Sequence, residues 1–307
     1  MEIASNITPA PAAAAAPQVN ISPELFKKFV EFIYTISGIR FADAKAYFLS
    51  SKLALRQQAL KLPTLQAYWD FLQTPAAKAS EYHPLLNEVT INETFFYRHQ
   101  QQLQSFWDEI LVPMLAKKRQ EGKRTLRFLS AACSTGDEPY TFALDLAASG
   151  IAKDFTIDIC GIDISDRALE TAKHGIYKKY AVRNIPPAHL TRFFSEKLVG
   201  GTSDYHLSED IKKMVRFSNV SLMDGAKLRG MGFFDIIFCR NVLIYFDRQS
   251  REQVLKNLHD VLNDTGYLLV GHSENLYAER HLFRQDKEKP NTLGYQKTEV
   301  VAKPTSI

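Results

Sequence analysis

From residue 22 to about residue 90 the apolar positions recur at helical spacing, with no alternating run of the kind a strand needs. Leu25, Phe26, Phe29, Val30 and Ile33 share one stripe. Ser22 followed by Pro23 supplies a cap and a first helical residue, and Gly38 stops the turn pattern. A second helix is expected over about 42–60, and a third from Thr64 through "TLQAYWDFLQ". Residues 21–90 therefore predict a small all-helical N-terminal domain.

The period changes from Phe95 onward. Leu103, Phe106, Trp107, Ile110, Leu111, Met114 and Leu115 mark one amphipathic helix. After it, short apolar strands at 125–131, 155–163, 233–239 and 266–271 alternate with helices at 138–149, 166–174 and 248–262. Such alternation predicts a parallel sheet covered on both faces, a doubly wound α/β domain over 91–300. Residues 175–218 interrupt it. There "NIPPAHLTRFF" reads as a short helix, and the two alternating stretches of "DYHLSEDIKKMVRF" read as a small antiparallel hairpin. An insertion of this kind is a common place for partner recognition, though a passive connection fits the pattern equally.

Composition adds limits. The 307 residues are 45% hydrophobic and 23% charged, as in a soluble globular protein, and no apolar run approaches the ~20 residues that span a bilayer. The start, "MEIASNITPAPAAAAAPQVN", lacks the basic stretch of a secretory signal and is too rich in Ala and Pro to bury a core; it reads as a disordered tail, with a second tail at 301–307. Three scattered cysteines, Cys133, Cys160 and Cys239, suit neither a disulfide framework nor a metal site. They read as buried thiols of a reducing compartment, the cytoplasm. A net charge of +4 permits an acidic partner without demanding nucleic acid.

In open α/β sheets the ligand lies beyond the carboxyl ends of the strands. Three strand ends are polar here: the loop 132–140 after the first strand, Asp163 closing the second, and Arg240–Asn241 after the buried strand at 233–239. A carboxylate at the second strand end suits a ribose diol, a feature of both NAD and S-adenosylmethionine (SAM) sites. The first loop separates the two. It has one glycine, Gly136, instead of G-x-G-x-x-G, and Asp137 and Glu138 would repel a pyrophosphate. Acids in a first helical turn also suit the helix dipole, so the weight rests on the combination. The loop favours a cationic cofactor, SAM.

"INETFFYR" (91–98), "CSTGDEPYTFA" (133–143), "GIDIS" (161–165), "FDIIFCRNVLIYFD" (234–247) and "GHSEN" (271–275) occur in this order. Together they closely resemble the CheR family, SAM-dependent protein-glutamate methyltransferases of bacterial chemotaxis, over about residues 22–297. The resemblance implies a SAM-methyltransferase fold and cofactor contacts from Asn92, Thr94, Arg98, Glu138, Asp163, Arg240 and Asn241. Ser221 and Leu222 stand where the family usually has Asn-Leu. Tyr245 matches a tyrosine beside the transferred methyl, and Arg98 and Tyr245 are expected to orient the substrate carboxylate. The first motif usually reads T-x-F-F-R, and here Tyr97 precedes Arg98.

The implied partner is the cytoplasmic helical domain of methyl-accepting chemotaxis receptors, the implied product S-adenosylhomocysteine, and the expected state a monomer. Lys45, Lys52 and Arg56 fall at i, i+7 and i+11 of the second helix, on one side, and would form a basic docking face. A nucleic-acid methyltransferase would show a base-receiving motif where "CRNVLIYF" stands, and a denser basic stripe. A non-catalytic cofactor-binding adaptor would have no reason to keep Arg98, Arg240, Asn241 and Tyr245 together.

Overall fold

The first helix, α1 (Pro23–Ser37), begins where its cap predicts: the Ser22 hydroxyl accepts the Leu25 amide at 3.2 Å, and Gly38 ends it in left-handed geometry at φ 74°. A side chain at Gly38 would strike the Met223 thioether, so glycine also permits the close approach of the two domains. A computed structural model describes residues 21–41 and 45–298. The two expected tails and the first residues of the expected second helix, 42–44, lie outside these. Four more helices, α2 (Ala46–Ala59), α3 (Leu65–Leu72), α4 (Pro75–Ser80) and α5 (Tyr82–Val89), complete the bundle. Phe29, Ile33, Leu49, Leu53, Tyr68 and Leu85 are its fully buried centre.

The amphipathic rod predicted from Leu103 to Leu115 is α6 (Gln100–Phe106) running through one wider turn, Trp107–Leu111, into α7 (Val112–Gln120). There follow β1 (Thr125–Ala131), α8 (Asp137–Ser149), β2 (Thr156–Asp163) and α9 (Asp166–His174). The insertion contributes β3 (Ile176–Lys178), α10 (Lys179–Val182), α11 (Pro187–Phe193), β4 (Phe194–Val199), β5 (Thr202–Leu207) and α12 (Glu209–Lys212). The chain then returns through β6 (Val215–Asn219), α13 (Gly225–Gly230), β7 (Phe234–Cys239), α14 (Arg248–Val261), β8 (Leu262–Val270), β9 (Phe283–Gln285) and β10 (Gly294–Lys297).

Seven strands form one sheet in the order β6-β2-β1-β7-β8-β10-β9. From β6 to β8 the neighbours are parallel; β10 and β9 add an antiparallel edge. The chain builds outward from β1 through β2 to β6, then crosses to β7 and β8. The order therefore reverses between β1 and β7, which is where a doubly wound sheet opens a crevice. Phe142 on α8 stacks on Phe238 of β7 at 4.2 Å and covers one face there.

The hairpin expected within 204–217 is not formed. Residues 204–207 belong to β5, which pairs with β4 across the Gly200–Gly201 turn and with β3 on its other side. Residues 215–219 are β6, parallel to β2 in the main sheet. Both stretches alternate, but Val215 is buried and the Phe217 ring packs edge-on against Tyr140 at 5.4 Å, which pulls the second stretch into the main core.

The two domains are joined by backbone as well as side chains. Ile39 bridges to Phe246, and the Arg40 amide donates to the Tyr245 carbonyl at 2.9 Å. Across the α5–α9 seam the Ser165 hydroxyl bonds Asn87 at 2.9 Å, and Arg167 pairs with Glu88 at 2.8 Å.

Candidate active-site cleft

The strand ends at the switch point, with Ile39, Arg40, Phe41 and Lys45 of the helical half, line an open cleft of about 1240 Å³ counted with its mouth open to solvent. Asn92, Thr94, Arg98, Glu138, Asp163, Ser221, Leu222, Arg240, Asn241 and Tyr245 all line it, as does Lys45. The structure thus brings every expected cofactor and catalytic residue to one place, from four strand ends and the segment before α6.

The floor is a buried ion pair. Arg240, at the end of β7, donates to Glu138 Oε2 at 3.0 Å and to the Arg98 carbonyl at 2.6 Å. The Ser130 hydroxyl donates to the other Glu138 oxygen at 2.6 Å. Burial presses the Arg240 guanidinium below its ordinary range while Glu138 pulls the other way. The pair ties the start of α8 to the end of β7, and Ser130 extends the link to β1 across the switch point.

Asp163 is a nearly buried carboxylate. Its Oδ2 accepts the Ser134 amide and its Oδ1 the Ser165 amide, both at 2.8 Å. Burial pushes its carboxyl above the usual range, and those amides pull it back. With one amide per oxygen the group is fixed yet keeps acceptor capacity for a diol. The first loop behaves as its single glycine suggests. Ala132, Ser134 and Gly136 all hold left-handed geometry, and the amides of Cys133, Ser134 and Gly136 are all engaged within the protein. A phosphate nest needs such amides free. These residues fit an adenosyl group carrying a cation and do not fit a pyrophosphate.

Asp137 is a different kind of acid. It is wholly buried, its Oδ2 accepts the Thr135 hydroxyl at 2.6 Å, and its Oδ1 has no partner among the described residues. Burial lifts its carboxyl to about 6, from an unfolded value of 3.8. The folded chain therefore holds this proton more tightly than the unfolded chain, and ionising the group above pH 6 costs stability. Asp137→Asn is expected to gain about 3 kcal/mol at pH 8. The gain should shrink as pH falls through 6 and vanish below 3.8. Urea unfolding at pH 8 and pH 5 measures it, and equal gains at both would contradict the assignment.

Tyr245 lies in the short turn after β7, half-buried; burial raises its phenol, with Arg98 acting in the opposite sense. The Lys45 ammonium sits 5.2 Å from its ring centroid. Ser221 and Leu222 follow β6; the Ser221 hydroxyl accepts the Met223 amide at 3.2 Å and caps its own turn. Cys133 is buried and its thiol pushed well up by that burial, so it stays a thiol.

The expected basic face does not assemble as a unit. Lys52 pairs with Glu88 at 3.3 Å, and Arg56 forms a two-pronged pair with Glu81 at 2.8 and 2.6 Å, where the Tyr68 hydroxyl also donates. The helical spacing is as expected, but Glu88 of α5 and Glu81 just before it pair with the two charges. Lys45 alone of the three reaches the cleft.

Glu274, inside "GHSEN", carries a function that spacing gave no sign of. Its Oε2 accepts the amides of Asn241 and Gly271 at 2.8 and 2.7 Å, and its Oε1 those of Val242 and Leu243 at 3.0 and 2.8 Å. One carboxylate thus sets the backbone of the loop that presents Arg240, Asn241 and Tyr245, including left-handed Asn241 at φ 59°.

Comparison with known proteins agrees with this geometry. Residues 92–291 match the family described as "CheR methyltransferase, SAM binding domain", and residues 24–90 match "CheR methyltransferase, all-alpha domain". The chain is 32% identical over 281 residues to "Chemotaxis protein methyltransferase 2" of Vibrio cholerae, covering 91% of this chain and 95% of the relative. It is 31% identical over 261 residues to the protein of the same name in Pseudomonas aeruginosa, covering 85% and 90%. To "Chemotaxis protein methyltransferase" of Salmonella typhimurium it is 32% identical over 256 residues, covering 83% and 85%. With both domains matched in chain order, the chain belongs to the CheR methyltransferase family, its larger domain being a SAM-dependent methyltransferase.

Proposed function

We propose that this protein transfers a methyl group from SAM to glutamate side chains of methyl-accepting chemotaxis receptors, acting on their cytoplasmic helical domain from the cytoplasm as a monomer. Among the described residues no helix is long and apolar enough to cross a membrane. The observation that carries the reading is the convergence of Asp163, Arg98 and Tyr245 on one cleft walled by the helical domain.

When bound, SAM supplies an electrophilic methyl, and the product is a glutamate methyl ester. A glutamate carboxylate is already ionised near neutral pH, so the protein needs no general base. What remains is positioning, which can supply roughly 7–11 kcal/mol of barrier reduction. Asp163 holds the ribose, while Asn92, Thr94, Glu138, Ser221, Leu222, Arg240 and Asn241 shape the remaining cofactor wall. Arg98 and Tyr245 orient the incoming carboxylate: one as a cation, the other as a hydroxyl kept protonated by burial. Lys45 at the mouth, with Arg40 beside it in the lining, gives acidic helices a basic approach.

Labelled SAM mixed with membranes bearing the host's receptors should place base-labile label on receptor protein. Arg98→Ala and Tyr245→Phe should each lower turnover by about 10² to 10³-fold. Uptake of SAM measured by calorimetry with no receptor label would leave only the adaptor reading; unchanged turnover in both variants would remove the residue assignment.

A further inference from the structure

Arg98 stands between two residues in left-handed backbone geometry, Tyr97 at φ 54° and His99 at φ 62°. Neither is glycine, and such geometry persists in other residues only where the surroundings overdetermine it. Here both side chains are gripped, and from opposite directions. The Tyr97 hydroxyl donates to Asp145 Oδ1 at 2.6 Å and lies 2.8 Å from His189 Nδ1, while the Tyr97 amide donates to the Thr141 hydroxyl at 3.1 Å. On the other flank the His99 ring stacks on His272, with centroids 4.3 Å apart and planes 28° from parallel.

These anchors belong to three separate elements. Asp145 and Thr141 are on α8, His189 is on α11 of the insertion, and His272 follows β8. Between them, Arg240 holds the Arg98 carbonyl. The Arg98 guanidinium contacts its sequence neighbours, the Glu93 carbonyl at 3.1 Å and the Phe95 ring at 5.7 Å, so its direction is set by the backbone it hangs from. The Tyr97 hydroxyl is also the point at which "TFFYR" departs from the usual T-x-F-F-R; a phenylalanine there could make neither polar contact.

We propose that Tyr97 and His99 are positioning residues that aim Arg98 into the cleft, Tyr97 through Asp145 and His189, and His99 through its stack on His272. The proposal rests on the reading of Arg98 as a residue that meets the substrate. It makes α11, and so the insertion, part of what orients that arginine.

A double-mutant cycle in the full chain tests it, with label transfer to receptor-bearing membranes as the readout. Tyr97→Phe and His99→Ala should each lower kcat/KM for the receptor about tenfold. In an Arg98→Ala background each should lower it by less than twofold, because there is nothing left to aim. Hydrogen exchange of residues 95–99 should also quicken in both variants. Equal losses in the two backgrounds would mean general damage to the fold and would overturn the proposal. So would an unchanged kcat/KM in Tyr97→Phe and His99→Ala beside a clear loss in Arg98→Ala. No loss in Arg98→Ala itself would remove the substrate reading of that residue, a distinct failure that takes the proposal with it.

Discussion

Glu274→Gln is expected to reduce methyl transfer at least a hundredfold and to destabilise the protein by about 3 kcal/mol. The carboxylate accepts four backbone amides, from Gly271, Asn241, Val242 and Leu243, at 2.7 to 3.0 Å. Glutamine keeps one oxygen and turns an NH2 group toward two of those amides, a donor facing donors. Each buried amide left unpaired costs about 1–3 kcal/mol. The loss falls on the loop that carries Asn241 in a disfavoured conformation and Tyr245 in the next turn. Urea unfolding and receptor labelling measure the two effects separately. Lower stability with undiminished transfer would show that this loop holds its working geometry without Glu274.

The second large effect belongs to Arg240. Its side chain is 3% exposed and that of its partner Glu138 is 15% exposed, so Arg240→Met leaves a carboxylate buried without a counter-ion. Breaking a buried pair from one side costs about 3–5 kcal/mol. Replacing both partners, as E138Q with R240M, should recover most of that stability, because two neutral side chains avoid the desolvation cost of a buried charge. It should not recover SAM binding, since the Arg98 carbonyl loses its donor as well. Calorimetric titration with SAM beside urea unfolding separates the two. A loss below 1 kcal/mol in the single variant would show that water reaches the pair.

The elements with a strong period were legible in the sequence: α1 with its cap and stop, β1 to its end residues, and the helix after each of the first two strands. The residues expected at the ends of these strands do line one cleft, because a strand-end acid and a loop without a phosphate nest are local features. What escaped was pairing between distant segments. Alternation in 204–207 and 215–219 marks two strands but not their partners; burial of Val215 beside β2 decided that. Lys52 and Arg56 do share a helix face, yet Glu88 of α5 and Glu81 at the junction before it arrive on that face, which helical spacing within α2 cannot reveal. Glu274 looked like any acid in a loop, because its four donors come from a segment about thirty residues earlier and from its own turn.

The contact of Ile39 with Phe246, and of the Arg40 amide with the Tyr245 carbonyl, has a consequence for how such chains diversify. The helical half walls the same cleft that the strand ends of the larger domain open. A chimera that exchanges it between relatives would also exchange part of the cleft wall, and a change selected in one domain would be felt at the backbone of Tyr245 in the other.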